Sequence, residues 1–127
     1  MAAVRTRGTA IEMALAGALK SFGLRWVSHD HNLPGKPDFA FHWHRVAVFV
    51  DGDFWHGFRF PQWKWKVSSF WRRKIDINRR RDRSVYRKLR RLGWIVVRVW
   101  GHEIKDDPQE AAKRVLHAVV KARQRRG

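Results

Sequence analysis

The chain has 127 residues, about the size of one domain, and 28 Lys and Arg against 11 Asp and Glu leave a formal charge of +17. That excess excludes an ordinary enzyme of small neutral metabolites and points to a polyanionic partner, nucleic acid first. The absence of cysteine excludes a disulfide scaffold, a thiolate zinc site and thiol catalysis, while 8 Trp and 8 Phe supply the core that a disordered basic tail lacks.

Met1 to Gly8 is short and basic, reads as flexible, and lacks the apolar stretch of a signal peptide. Thr9-Ala-Ile-Glu12 reads as a capping box that opens a helix, with Ile11, Leu15, Ala18, Leu19 and Phe22 at helical spacing and Gly23 as the stop. Leu24 to Ser28 is a first strand, and Asn32 to Pro37 is a turn because two prolines and a glycine break any regular element. Asp38 to Trp43 and Arg45 to Val50 are two more strands, the second apolar on both faces and therefore central. Gly57 to Val67 reads as a mobile aromatic and basic loop. Ser68 to Leu92 is a helix with Ile75, Val85, Tyr86, Leu89 and Leu92 on one side. Trp94 to Trp100 is a strand rich in β-branched residues, and Asp106-Asp107-Pro108 starts a last helix with Ala112, Val115, Leu116 and Val119 buried. The expected order is α-β-β-β-α-β-α in a single domain over 1–127 with a basic tail at 121–127. The longest apolar run, Val46 to Val50, is far below the ~20 residues of a membrane span, so the expected location is the cytoplasm.

Charge and aromatic rings are both concentrated. Between Arg72 and Arg91 stand eleven Lys or Arg and two Asp, a net +9. One sign dominates, so self-repulsion costs stability unless phosphates relieve it and release counterions. Phe54, Trp55, Phe58, Phe60, Trp63, Trp65, Phe70 and Trp71 crowd into eighteen residues. Some of these rings fill the core, but Trp63-Lys64-Trp65 lies in the expected loop, where bulky rings beside cations stack on bases or wedge between them.

The carboxylates and histidines supply candidate chemistry, because hydrolysing a phosphodiester needs an activated water and a neutralised phosphate, and hard cations on oxygen ligands provide both. Asp38 opens one strand and Asp51 closes the next; in a hairpin the two ends meet at one edge of the sheet, within reach of Glu12. Each has an ordinary alternative: Glu12 as a cap, Asp51-Gly52 as a turn, Asp38 as a solvated strand end. His56 is either a proton-transfer group or a surface residue. His29, His31, His42 and His44 lack an evident thiolate or carboxylate partner and read as structural.

Thr9 to Glu12, Leu33-Pro-Gly-Lys-Pro-Asp38, Val48-Phe-Val-Asp-Gly52 and Phe54-Trp-His56 together resemble the very-short-patch repair (Vsr-type) mismatch endonucleases. So do Phe70-Trp71, Lys74-Ile75, Asn78, Arg81-Asp82 and Leu92-Gly-Trp94 running to Trp100, in order over about residues 5 to 103. The resemblance implies a restriction-endonuclease-like (PD-(D/E)XK) fold with a mixed sheet flanked by helices. It implies a magnesium-dependent enzyme, with two ions and manganese as a substitute, that nicks one strand of duplex DNA 5′ of the thymine in a T·G pair. The alternatives are a related nuclease of different lesion or restriction-like specificity, and a non-catalytic DNA-binding module. By position, Asp38 holds the metals, the Val50 carbonyl is a second contact, Glu12 acts through water, and His56 is the acid–base catalyst. Asp51 joins the catalytic group by its chemistry alone, since some relatives have histidine there. Phe54, Trp55 and Trp71 match the family's intercalating wedge, and Trp63, Lys64, Trp65, Arg72 and Arg73 are expected on DNA. Asn78, Arg81 and Asp82 support the site. The positions of the family's structural zinc fall at Asp53, Phe58, Phe60 and near Gly101, so no zinc is expected and apolar packing replaces it. The chain as given carries little of the family's N-terminal basic helix. A monomer on mismatched DNA, near the nucleoid and with mismatch-repair proteins as candidate partners, completes the expectation.

Overall fold

Strand β3, Val46–Asp51, is buried along nearly its whole length, and the rest of the molecule is arranged around it. A computed structural model describes residues 2–126, with side chains from 10 to 125. β3 pairs antiparallel with β2, Phe39–Phe41, which pairs antiparallel with the two-residue β1, Val27–Ser28. On its other side it pairs parallel with β4, Ile95–Trp100, so the sheet is mixed with the order β1-β2-β3-β4. A parallel pair needs a crossover, and α3, Ser69–Arg91, supplies it. The α/β class and the mixed sheet flanked by helices agree with the expected restriction-endonuclease-like architecture.

The period-2 alternation of a strand sends neighbouring residues to opposite layers. Val46 and Val48 of β3, with Val97 and Val99 of β4, pack under α1, α4 and α5. Those helices, Ala2–Ser21, Gly101–Asp106 and Pro108–Arg126, contribute Leu15, Leu19, Ile104, Ala112 and Val115. Ala47 and Phe49 face the other way, against Tyr86 and Leu89 of α3. Asp51 and Arg98 fall on this α3 side too, by the same alternation, and that decides where their charges go.

Four expectations need correction. Helix α1 begins at Ala2, so Thr9 is an interior helical residue and the Thr9–Glu12 capping box does not open the helix. The side chain of Thr9 lies outside the described ones; that of Glu12 points to a histidine instead. Loop 57–67 is a short helix α2, Phe60–Trp63, and a 3-10 turn, Lys64–Lys66, seated by the fully buried Phe60. Leu92 caps α3 and is 56% exposed, so the buried stripe ends at Leu89. The segment 121–126 continues α5 as helix, and Gly127 lies outside the described residues.

Candidate active site

Asp38 stands just before β2, and its side chain is held by two features of the sheet. One carboxylate oxygen, Oδ2, accepts the Val50 amide at 2.6 Å. The other, Oδ1, lies 3.4 Å from Nε2 of His29, which is itself 2.8 Å from Oε2 of Glu12 on α1. Burial drives the Asp38 carboxyl up to about 7, the Val50 amide opposes this, and the neighbouring Glu12 pushes it further up. Two carboxylates brought together with one half-desolvated are short of positive charge. Oxygen donors of this kind suit a hard divalent cation, which also explains why Glu12 faces the sheet instead of its own helix end.

A second group lies on the α3 side. After β3 the chain turns through Gly52 to Arg59, with the His56 amide donating to the Gly52 carbonyl at 3.0 Å. Gly57 adopts φ +68, and a Cβ there would meet Arg79 and Ile75 of α3 at 2.7 and 3.0 Å, so only glycine lets the turn lie against that helix. The turn aims His56 at Asp82 of α3, with Nδ1 2.7 Å from Oδ2. Burial alone would lower the His56 pKa, but the Asp82 hydrogen bond and the charges of Asp51 and Asp82 outweigh it and raise it. Asn78, one turn earlier on α3, donates to the Trp55 carbonyl at 3.1 Å and fixes the same turn. Asp38, Val50, Asp51, His56, Asp82 and Tyr86 line one cleft, with Arg81 exposed at its rim.

Asp51 does not join Glu12 and Asp38, although its strand end is close. Its buried carboxylate points toward α3, accepting from Arg98 Nε at 2.6 Å and from the Tyr86 hydroxyl at 3.0 Å. Arg98 also reaches Asp82 at 3.5 Å. Asp51, His56 and Asp82 have the spacing of a metal site, but the Arg98 guanidinium already bridges both carboxylates. Burial pushes the Tyr86 hydroxyl well up, with Asp51 adding to it, so it stays a donor. Sequence reasoning passed over Arg98 as part of an apolar strand. Its signal was there: a lone cation on the inward face of Ile95–Trp100 must have a buried partner. His29 gave no such signal, because only the β1–β2 pairing brings it to Asp38.

The aromatic rings form a cluster above the turn. Trp55 and Trp71 meet at 5.2 Å, Phe54 contacts both at 5.4 and 5.9 Å, and Trp63 stacks beneath Phe54 at 5.6 Å. Phe54, Trp65, Phe70 and Trp71 remain exposed, whereas Trp63 is tied to the Phe58 carbonyl at 2.8 Å. Arg72 donates to the Val67 carbonyl at 3.2 Å and covers the Trp65 ring, which Lys64 also approaches, so it braces this segment, while Arg73 is exposed. At the positions expected from the resemblance to hold zinc in relatives, His102 pairs with Asp53 at 3.0 Å and meets the Phe58 ring at a tilt, and Phe60 is fully buried. One imidazole and one carboxylate do not supply four zinc ligands, and the replacement is partly polar instead of wholly apolar.

Known proteins resemble the chain along most of its length. The family described as DNA mismatch endonuclease Vsr matches residues 1–62. The type II nicking enzyme V.NmeDIP of Neisseria meningitidis serogroup C is 41% identical over 118 residues, covering 91% of this chain and 80% of that protein. The chain belongs to the Vsr family. Its activity is that of a DNA endonuclease, the class the cleft's acidic and histidine groups already suggested. Further Vsr relatives include the type II nicking enzyme V.HpaIIP of Haemophilus parainfluenzae, 34% identical over 93% of this chain and 86% of that protein. The DNA mismatch endonuclease Vsr of Escherichia coli K12 is 41% identical over 79% of this chain and 65% of that protein. The expected lack of carboxylate partners for the histidines is corrected for two of them: His29 meets Glu12 and Asp38, and His42 pairs with the buried Asp30 and packs edge-on against Trp94, because strand pairing brings together residues distant in sequence. As for membranes, no described helix is long and apolar enough to cross one.

Proposed function

We propose that this chain is a magnesium-dependent endonuclease that nicks one strand of duplex DNA 5′ of the thymine in a T·G mismatch. The observation that carries the reading is the cleft itself: Asp38 and the His56–Asp82 pair line its two sides, with the aromatic cluster beside it. The relatives' names, a mismatch endonuclease and nicking enzymes, support the same reaction.

Asp38, the Val50 carbonyl and, through water, Glu12 would hold the metal. The bound cation supplies charge neutralisation at the phosphate and a more acidic attacking water. The water oxygen forms a bond to phosphorus as the bond to the 3′ oxygen breaks. His56, whose protonated form Asp82 favours, gives a proton to that leaving oxygen while the attacking water loses one to solvent, so a 3′-hydroxyl and a 5′-phosphate remain. Phe54, Trp55 and Trp71 enter the helix beside the mismatch, where unstacking costs least. Trp63 supports them from below, and Trp65, Lys64, Arg72 and Arg73 flank them as a basic platform for the backbone. A different lesion range is the second reading, favoured by the Asp53–His102 pair and Phe58 that stand beside the wedge in place of zinc ligands.

The test is strand-specific nicking of T·G, uracil-containing, other mismatched and fully paired duplexes with magnesium, by wild type and by Asp38→Ala. Cleavage of T·G alone that vanishes in the variant is expected. Undiminished nicking by Asp38→Ala overturns the mechanism, and preference for another duplex overturns the substrate.

A further inference from the structure

We propose that His29 is a third protein ligand at the Asp38 site, a nitrogen donor that shifts this chain's metal preference from Mg²⁺ toward Co²⁺ and Mn²⁺. The inference rests on the metal-dependent reading above and specifies which side chains hold the ion.

The geometry comes first. His29 Nε2 lies 2.8 Å from Glu12 Oε2 and 3.4 Å from Asp38 Oδ1, and the three atoms lie within 4.8 Å of one another. Ligands at ~2.1 Å around an octahedral ion are separated by ~3 Å along each edge, close to the 3.4 Å between His29 Nε2 and Asp38 Oδ1. A single imidazole nitrogen makes one good hydrogen bond. Here it stands between two carboxylates on different elements, unlike His42, which serves Asp30 alone. The backbone holds it there: the His29 amide donates to the Asp38 carbonyl at 3.3 Å, extending the β1–β2 pairing by one step. His29 also takes φ +48, a left-handed conformation uncommon for a residue with a side chain, and concentrated at functional sites. Its ring is half exposed while the two carboxylates are mostly buried, so it closes the solvent side of the group.

The chemistry follows from the donor. Mg²⁺ takes oxygen ligands and keeps its waters, whereas imidazole favours ions later in the first-row series. An all-oxygen site would bind Mg²⁺ and Co²⁺ with little distinction from side chains; a site with one imidazole favours Co²⁺, and Mn²⁺ less strongly.

The experiment is calorimetric titration of the full chain, without DNA, with Co²⁺, Mn²⁺ and Mg²⁺, together with pulsed electron paramagnetic resonance of the Mn²⁺ form. His29→Asn, which tolerates the left-handed backbone, and His29→Gln, which keeps more of the length, are compared with wild type after circular dichroism shows both folded. Co²⁺ affinity is expected to fall by ~10-fold or more in both variants while Mg²⁺ affinity stays within ~2-fold. The Mn²⁺ spectrum is expected to show a nitrogen coupling that both variants lose. Unchanged Co²⁺ affinity with the nitrogen coupling retained overturns the proposal. Asp38→Ala separates the two levels of failure. If it abolishes metal binding while the His29 variants change nothing, His29 is not a ligand but the metal site stands. If it binds metal like wild type, the metal reading fails and the ligand assignment with it.

Discussion

Asp38 and His56 are both pushed toward their protonated forms, each by what surrounds it. Asp38 is raised to about 7 by burial and by Glu12, above its unfolded value of 3.8. A raised carboxyl favours the folded state while protonated, so that contribution is complete below the unfolded pKa and lost as pH rises through about 7. The metal-free protein should therefore be less stable at pH 8 than at pH 4, with the loss falling between about pH 4 and pH 7. Asp38→Asn should restore about 1 kcal/mol or more at the higher pH while abolishing nicking. Urea unfolding in a chelator at both pH values checks this, and a variant no more stable than wild type at pH 8 refutes it. His56 is also raised above its ordinary value of 6.5, here because Asp82 and Asp51 outweigh burial. Its stabilising contribution is present below that unfolded value and disappears as pH rises through the folded one. Asp82→Asn removes the hydrogen bond, so the alkaline limb of the pH–rate profile should move to lower pH. Turnover near neutrality should fall by about 10- to 100-fold. An NMR titration of His56 that does not shift in the variant would exclude this role for Asp82.

The elements matter through what they hold in place. Helix α3 carries Trp71 at its first turn, Asn78 and Asp82 against the His56 turn, and Tyr86 under Asp51, so one rigid rod positions the wedge and half of the cleft. The serine at its N-cap, Ser68, accepts from the Trp71 amide, which ties the wedge to the helix start. Stacking a base on an aromatic ring contributes about 1–3 kcal/mol. Trp71→Ala and Phe54→Ala should each weaken binding of a T·G duplex by about 10- to 100-fold. Affinity for the fully paired duplex, which the rings do not open, should stay within about 3-fold. Fluorescence anisotropy on the two duplexes measures both; an equal loss on each would make the rings general contacts and not a mismatch wedge.

Across the whole molecule, the +17 charge is uneven, with net +9 on the stretch from Arg72 to Arg91. Part of that charge is already used: Arg72 braces the short helices and Arg79 lies over the Phe60 ring. Arg73 and Arg80 are exposed and free to meet phosphates. Each phosphate neutralised lowers the slope of log affinity against log salt by about 0.9, so Arg73→Gln with Arg80→Gln should flatten that slope by roughly 2. Binding isotherms across a salt series test this; an unchanged slope would place the duplex on another face.

Patterns local in the chain were enough for much of this. The apolar run Val46 to Val50 predicted the central strand, and local pattern predicted α3 to within a residue and the start, not the end, of α5. The order of short motifs from Thr9 to Trp100 pointed to the Vsr family, because those motifs are contiguous and need no knowledge of what packs where. Helix starts were less legible: Thr9 and Glu12 satisfy a capping pattern that the longer α1 overrides. The nearness of Glu12 to Asp38 and the place of Asn78 and Asp82 beside the site were legible, but most exact pairings between distant residues were not. That Asp51 turns to Arg98, that His29 stands between Glu12 and Asp38, and that His102 meets Asp53 depend on strand register and layer packing. By itself the sequence determined the fold class, the family and the basic, aromatic character of the nucleic-acid face. Only the tertiary structure decided which charges neutralise one another and which remain for a metal or a phosphate, because burial and partner distance set the energy of a charge and neither is a property of the chain's order.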